Sequence, residues 1–351
     1  MVRLGAMGDI LHALPAVTAL RVAHPDWVID WVVEPRWRPL LAASGVADSV
    51  NGHYLGEHSG QPLVDHIYLA PAKEWGSNPF GNKTIDEVRA LRSALKAGGY
   101  DAVLDLQGAV RSALIGRLAV SQRLIGEARP REWFARWLFT ERVATRGAHV
   151  IEQDVELAAA VAGDALMPAI PWLPIDAAAE VWAGEVLPFA VGWPAVLISP
   201  GAGWGAKRWP AERYAALAQD LVDRGLRVLV NAGPGEESLA EAIVQSVAAA
   251  IPLTCTLDRL IALTRRVALA IAGDTGPLHL ACALGRPVVG IYGPTDPCRN
   301  GPFGTTFRVL RSPTSRRDHA RRAAPEAGLL TISQQDVLRA ADELLRPEST
   351  V

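Results

Sequence analysis

The stretch "LAIAGDTGPLHLACALGRPVVGIYGPTDP", residues 269–297, decides how this chain folds. Five apolar residues, Leu269–Gly273, stop at Asp274-Thr275-Gly276-Pro277. A short helical run follows to Leu284, and Gly285-Arg286-Pro287 ends it. A second apolar run, Val288–Tyr292, stops at another Gly/Pro turn. Neither run alternates with polar residues, as expected of strands covered on both faces of a parallel sheet. Strand, helix and strand in succession predict a βαβ crossover. Pro277 suits the first helical position, and the N–H groups beside it could hold a phosphate. Two residues stay open between readings. Asp274 is a helix cap or a site residue, and His279 is a packed histidine or a donor to a bound anion.

The same alternation runs outward in both directions. Strands are predicted at 2–4, 28–33, 66–69, 102–106 and 123–125, and again at 195–199, 227–231 and 307–310. Helices are predicted between them, among them 10–23, 107–118, 132–140, 151–162, 210–224, 236–249 and 334–345. This is the α/β class with doubly wound parallel sheets. A chain of 351 residues suits two such halves. A Pro- and Trp-rich stretch, 167–195, interrupts the pattern. The expected domains are 1–175, a linker at 176–194, and 195–330, with a last segment at 331–351. The cleft between the halves is then the default ligand site. The basic, polar stretch 311–328 is expected to be a mobile surface loop.

Composition narrows the function. Half the residues are apolar and 21% are charged, so packed cores are expected. A formal net charge of −2 offers no global reason to bind nucleic acid. The three cysteines, Cys255, Cys282 and Cys298, have no C-x-x-C spacing. They argue against a disulfide framework or a zinc site and fit a reducing cytosol. Asp9 and Pro15 break the first apolar stretch, so no secretory signal is expected, and no apolar run is long enough for a membrane span.

Chemistry concentrates at predicted strand ends. "GAMGD", residues 5–9, joins the first strand to the first helix. Asp9 caps that helix, turning onto the N–H groups of Leu11 or His12, or keeps an oxygen in the cleft as a general base. "SPGAGWGAKRWPAERY", residues 199–214, carries Gly201, Gly203, Gly205 and Lys207. It is an anion-binding loop or a long loop with a solvated Lys. Glu236, after Gly233-Pro234-Gly235, either favours the helix macrodipole or takes ribose hydroxyls. Residues 129–146 interleave Arg129, Arg131, Arg136, Arg142 and Arg146 with Trp133, Phe134, Trp137 and Phe139. That segment is an amphipathic surface helix, or a flap whose Arg forks take acidic groups while its aromatics meet a bilayer surface.

Taken together the sequence resembles the bacterial lipopolysaccharide heptosyltransferases, most closely those of type I. The pieces that carry the resemblance are "GAMGDILHALPA", "DWVVEPRW", "YDAVLDLQGAVRSALIGRLA", "AKRWPAERYAALA", "GDTGPLHLACALGRPVVGIYGPTDP" and "TISQQDVLRAADELL". The resemblance implies a GT-B glycosyltransferase, two Rossmann-like domains facing a cleft. It implies inverting transfer of L-glycero-D-manno-heptose from ADP-heptose to Kdo of the inner core, without metal or cofactor. Asp9 falls on the family base and Lys207 on the family lysine. Gly203, Glu236, Asp274, Thr275, Gly276 and His279 fall on the donor side. The acceptor, Kdo-lipid A, would meet Lys73, Arg129, Arg131 and Arg136. The segment 72–79 departs from the family in having only Lys73 and Lys83 nearby, where more cations are usual. The helix at 334–345 is expected to cross back onto the first domain. The implied location is the cytoplasm, peripheral on the cytoplasmic face of the inner membrane, with no nucleic-acid partner. The alternatives are a type II heptosyltransferase or another GT-B transferase, and a non-catalytic nucleotide-sugar-binding protein.

Overall fold

The structure, a computed structural model, describes residues 1–43, 62–188, 194–317 and 322–346. The chain divides into two compact units, Met1–Ile175 and Asp176–Val351.

The first unit is built on parallel strands. β1 (Asp30–Val33) pairs with β2 (His66–Leu69), and β3 (Ala102–Leu104) pairs with β4 (Arg123–Glu127), which pairs with β5 (Glu141–Val143). The extended segment 1–4 joins these groups, because Val2 bridges Val32 on one side and Asp105 on the other. Val2 N–H donates to Leu104 O and Val32 N–H to Met1 O, each at 2.9 Å. The spatial order is therefore β2-β1-(1–4)-β3-β4-β5. Counted along the chain this is the doubly wound order, whose switch point lies between its first and fourth strands. Here those are segment 1–4 and β3.

The second unit repeats the plan. Its strands are β6 (Ala195–Ser199), β7 (Arg227–Asn231), β8 (Ile251–Leu253), β9 (Leu269–Gly273), β10 (Val288–Tyr292) and β11 (Phe307–Arg311). All pair in parallel, in the order β11-β10-β9-β6-β7-β8. The switch point lies between β6 and β9. Strands β6, β9 and β10 are buried at every residue, which explains their continuous apolar sequence.

Several expectations need correcting. The first helix runs Met7–Ala23 rather than from residue 10, with Ala6 as its N-cap. It is buried at every residue from Ile10 to Arg21. The buried Arg21 is accommodated by the carbonyls of Leu63, Pro25 and Trp27 and by Asp65 Oδ2 at 2.6 Å. The helix expected at 132–140 does not form. Trp133–Trp137 is a short 3-10 turn, and β5 follows. Pairing with β4 prevails there: Thr140 exchanges bonds with Leu124, and Arg123 grips Glu141 at 2.7 and 3.0 Å.

The stretch 176–194 is more than a linker, since it contains helix Ala177–Val186. Glu180 ties that helix to Arg265 at 2.8 Å, within the second unit. Residues 189–193 lie outside the described residues. The basic stretch 311–328 keeps most of its described residues exposed, Arg316, Arg317 and Arg322 among them, but it is anchored at Ser315 and Glu326. Glu326 is buried, accepting from Ser315 Oγ at 2.8 Å and Leu329 N–H at 3.0 Å. Its residues 318–321 are not described.

The last helix, Gln334–Leu345, was expected to cross to the first unit and is instead built into the second. Val337, Leu338, Ala340 and Ala341 sit in the core with Val289 and Ile291. Trp209 Nε1 and Arg213 both donate to Ile332 O, fastening the approach to that helix. Burying four apolar side chains there is worth several kcal/mol. Residues 347–351, the end of the segment once expected to cross, are not described.

Candidate active site

In the second unit, three loops leave the ends of β6, β7 and β9, beside the switch point. After β6 the backbone passes Gly201, where an added Cβ would lie 1.8 Å from Glu236 Oε2. Glycine at this position lets the Glu236 carboxylate lie against the backbone; a Cβ would require that side chain to move. Glu236, at the end of the β7 loop, also accepts from Gly233 N–H at 3.2 Å. Gly203 stands in open space, with nothing within 4 Å of an added Cβ. Gly205 is different. Its Cβ would lie 1.6 Å from Ala323 O, because the fastened 311–328 stretch lies against this loop. Ala206 bonds to that stretch twice, donating to Arg322 O and accepting from Glu326 N–H.

This packing aims Lys207. Its ammonium is paired with Asp274 Oδ2, lies 3.3 Å from Asp274 O and sits 4.4 Å from the Trp204 ring centre. The two side chains are 11% and 7% exposed. His279 Nε2 approaches Asp274 Oδ1 at 3.2 Å. Burial disfavours an ionised Asp274, yet the His279 hydrogen bond and the Lys207 charge outweigh it and hold the carboxyl well below the usual range. Asp274 is thus not the helix cap. Thr275 occupies that position, and Pro277 is second in helix Gly276–Ala283. The Thr275 hydroxyl donates to Gly273 O and makes no cap bond. Helix geometry therefore leaves first-turn N–H groups, such as that of Gly276, without intrahelical acceptors. A cation and a helix N-terminus together suit an anionic ligand.

The first unit carries a carboxylate at its own switch point. Asp9 sits in the first turn of its helix and reaches backward, with Oδ2 accepting from Ala6 N–H at 3.1 Å. The expected turn onto Leu11 or His12 does not occur. Arg3 Nη2 lies 3.6 Å from Oδ1 and Arg131 Nη1 3.9 Å from Oδ2, and the carboxylate side chain remains 35% exposed. Gly5 lets Trp37 close over this loop: its φ is +152° and an added Cβ would lie 2.5 Å from Trp37 Nε1.

Among the proposed acceptor residues, Arg131 alone is drawn to Asp9 within the described contacts. Lys73 and Arg129 are exposed. Arg136 stacks on Trp133, with 4.1 Å from its guanidinium carbon to the ring centre. Trp133, Phe134 and Trp137 are 53%, 74% and 65% exposed.

Sequence reasoning missed the frame beneath Asp9. Buried Asp105 Oδ1 accepts from Gln107 N–H at 2.8 Å and Gly108 N–H at 2.7 Å, and Gln107 Oε1 accepts from Leu4 N–H at 2.8 Å. Burial raises the Asp105 carboxyl to about 6 despite bonds from Ser112, Gly108 and Gln107. The turn then grips the Arg131 segment, since Glu132 N–H donates to Gly108 O at 2.9 Å. The signal was present: polar residues immediately after an apolar strand, in "LDLQG". Among the described residues no cluster of three or more His, Cys, Asp or Glu is placed to hold a metal ion.

A two-unit α/β protein with an open carboxylate in one unit and, in the other, loops that bring a lysine beside a helix N-terminus has the build of a GT-B glycosyltransferase. Two solved structures agree. The E. coli heptosyltransferase WaaC with ADP-2-deoxy-2-fluoro heptose superposes with a TM-score of 0.75 at 28% identity, covering 97% of this chain and 98% of that one. A glycosyltransferase family 9 protein from Veillonella parvula shares the fold with a TM-score of 0.79 at 20% identity, covering 98% and 96%. Among proteins of known name, lipopolysaccharide heptosyltransferase 1 of E. coli K12 is 30% identical over 98% of this chain and 99% of its own length. That of Pseudomonas aeruginosa is 27% identical over 87% and 81%. The model of glycosyltransferase family 9 (heptosyltransferase) matches residues 88–329, and the chain belongs to that family.

Proposed function

We propose that this glycosyltransferase moves L-glycero-D-manno-heptose from ADP-heptose to Kdo of the lipopolysaccharide inner core, with inversion and without a metal. The observation that carries the chemistry is Asp9, a carboxylate at a switch point that spends one bond on Ala6 and remains open to solvent. The donor assignment is supported by the similarity to WaaC, whose structure is with ADP-2-deoxy-2-fluoro heptose, and by near-complete coverage of heptosyltransferase 1.

In this mechanism the acceptor hydroxyl gives its proton to Asp9 as its oxygen attacks the anomeric carbon. The bond from that carbon to the β-phosphate oxygen breaks on the opposite face, and ADP leaves with the electron pair. Charge grows on the departing phosphate. Lys207, held by Asp274, and the N–H groups at Thr275-Gly276 are the groups of this chain suited to receive it, which is stabilisation of the transition state by preorganised charge. Glu236 takes the ribose hydroxyls beside Gly201 and Gly203. Asp274 and His279 act behind Lys207, holding it.

Arg129, Arg131 and Arg136 take the acidic groups of Kdo-lipid A, with Lys73 at the margin. The exposed Trp133, Phe134 and Trp137 beside them rest on the anionic cytoplasmic face of the inner membrane. No helix among the described residues is long and apolar enough to cross a membrane, so the association proposed is peripheral. Vesicles containing anionic lipid should retain the protein at low salt, release it as salt rises, and lose it when these arginines become glutamine. Salt-independent retention would remove the electrostatic part of the proposal.

The deciding experiment is ADP release from ADP-heptose with Kdo-lipid A against the same acceptor already carrying one heptose. Turnover with Kdo-lipid A alone is expected. Turnover only with the heptosylated acceptor would move the chain to type II, and no turnover with either would refute the assignment.

A further inference from the structure

We propose that Arg3 is the positioning residue of Asp9, and that it, rather than the nearer-looking acceptor cation Arg131, sets the direction of the carboxylate. The proposal rests on the reading of Asp9 as the base.

Arg3 lies in the central extended segment of the first unit and its side chain is only 7% exposed. Burying a guanidinium is costly unless it is paired. Its pairing is concentrated on one residue. Arg3 Nε donates to the backbone O of Asp9 at 3.1 Å, and Arg3 Nη2 lies 3.6 Å from Asp9 Oδ1. One planar fork thus spans the main chain and the side chain of the same aspartate, a geometry an ammonium cannot reproduce. With Oδ2 bonded to Ala6 N–H and the main-chain O bonded to Arg3 Nε, the Arg3 charge faces the remaining oxygen, Oδ1, without closing on it. The segment carrying Arg3 is itself fixed. Arg3 N–H donates to Val32 O, Arg3 O accepts from Trp31 Nε1 at 3.0 Å, and Leu4 N–H is taken by Gln107.

Arg131 contrasts on every count. Whereas the buried Arg3, 3.6 Å from Oδ1, adds a hydrogen bond to the Asp9 main chain, Arg131 is 64% exposed and 3.9 Å from Oδ2. Such a pair contributes little and is easily exchanged for another anion. Arg131 is therefore free to engage an acidic acceptor while Arg3 keeps Asp9 aimed. Asp105 also lies within reach of the Arg3 charge, but it is buried and its Oδ1 is taken by the N–H groups of Gln107 and Gly108.

The test uses the full chain with Arg3→Gln, Arg3→Lys, Arg131→Gln and Asp9→Asn, comparing kcat, both KM values, ADP affinity and melting temperature. Misaiming a catalytic group by about 1 Å can cost about 100-fold. R3Q should lower kcat by about 30- to 100-fold, with both KM values within about twofold of the parent. R3K should recover only part of that loss. R131Q should raise the acceptor KM and leave kcat within about threefold. A parental kcat in R3Q, or a loss carried entirely by KM, overturns the proposal. If R3Q does not fold, R3K decides: kcat at least about fivefold below the parent supports the positioning role, and parental kcat overturns it. D9N separates the two levels. Near-parental turnover in D9N would refute the base itself, whereas a dead D9N with an unaffected R3Q would refute only Arg3.

Discussion

The two units share a strand order, and each places an aspartate at its switch point, yet the two aspartates are treated in opposite ways. Asp274 is buried, ionised and locked between Lys207 and His279. Asp9 is part-exposed, bonded once to Ala6 and flanked by guanidiniums that do not close on it. A locked carboxylate can orient a cation but has little proton-accepting capacity left. An open one can accept a proton but needs an outside device to aim it. The same topology thus serves two tasks, and the difference lies in how many donors each carboxylate satisfies.

The largest effect should come from removing the open carboxylate. Asp9→Asn is expected to lower kcat by about 1,000-fold while leaving ADP affinity by calorimetry within about twofold, since a general base contributes on that scale and the proposed ADP contacts are in the other unit. A large loss of ADP affinity would break the division of labour. Next is Lys207→Met, expected to cost about 100-fold or more in kcat and to weaken ADP binding, as loss of a charge-stabilising group does. It should also destabilise the protein by about 3 kcal/mol in denaturant unfolding, because buried Asp274 loses its cationic partner and keeps only His279. Full stability in that variant would show that the pair is not the buried lock described.

Acid distinguishes the units as well. The folded carboxyl of Asp274 lies below its unfolded value, so its contribution is complete above about pH 4 and is lost as pH falls below that. Asp105, raised to about 6, behaves oppositely: between pH 6 and about pH 4 the folded state binds the extra proton, so its contribution rises as pH falls. Asp274→Asn should flatten the acid side of the stability curve, and Asp105→Asn should remove the opposing slope at mildly acidic pH. Melting temperatures across that range would check both.

The smallest effects sharpen the comparison of the loops. Gly205→Ala forces a Cβ onto the backbone of Ala323 and should cost about 1–3 kcal/mol and displace Lys207. Gly5→Ala meets Trp37 and also needs a positive φ, so a loss of similar size is expected in the first unit. Gly203→Ala has room and should change stability by no more than about 0.5 kcal/mol. A raised donor KM in that stable variant would support a donor contact at Gly203, and an unchanged KM would remove it from the site.

Much of this was legible in one dimension. The uninterrupted apolar runs announced parallel strands, and the Gly-rich stretches announced the loops after β6, β7 and β9, because burial on both faces and unusual backbone turns leave marks in local composition. Other features were not legible. The Trp- and Arg-rich 132–140 read as a helix, but a sheet edge was available to Thr140 and Glu141, and a turn of helix could not compete with it. The basic 311–328 read as a surface loop, and its arginines are exposed, but nothing local shows that Glu326 is buried against Ser315 and anchors it.

What the sequence by itself determined is the class of fold, the positions of Asp9, Lys207 and the Asp274–His279 loop, and the separation of two halves. These follow from periodicity and turn chemistry, which act over a few residues. What only the tertiary structure decided is the state of each side chain: Asp9 turned back to Ala6 and spanned by Arg3, Asp274 sealed against Lys207, the final helix seated in the second core. Those outcomes depend on partners distant along the chain, such as Arg322 against Ala206, Gln107 against Leu4 and Ile332 against Trp209, and spacing along the sequence does not encode which of them will meet.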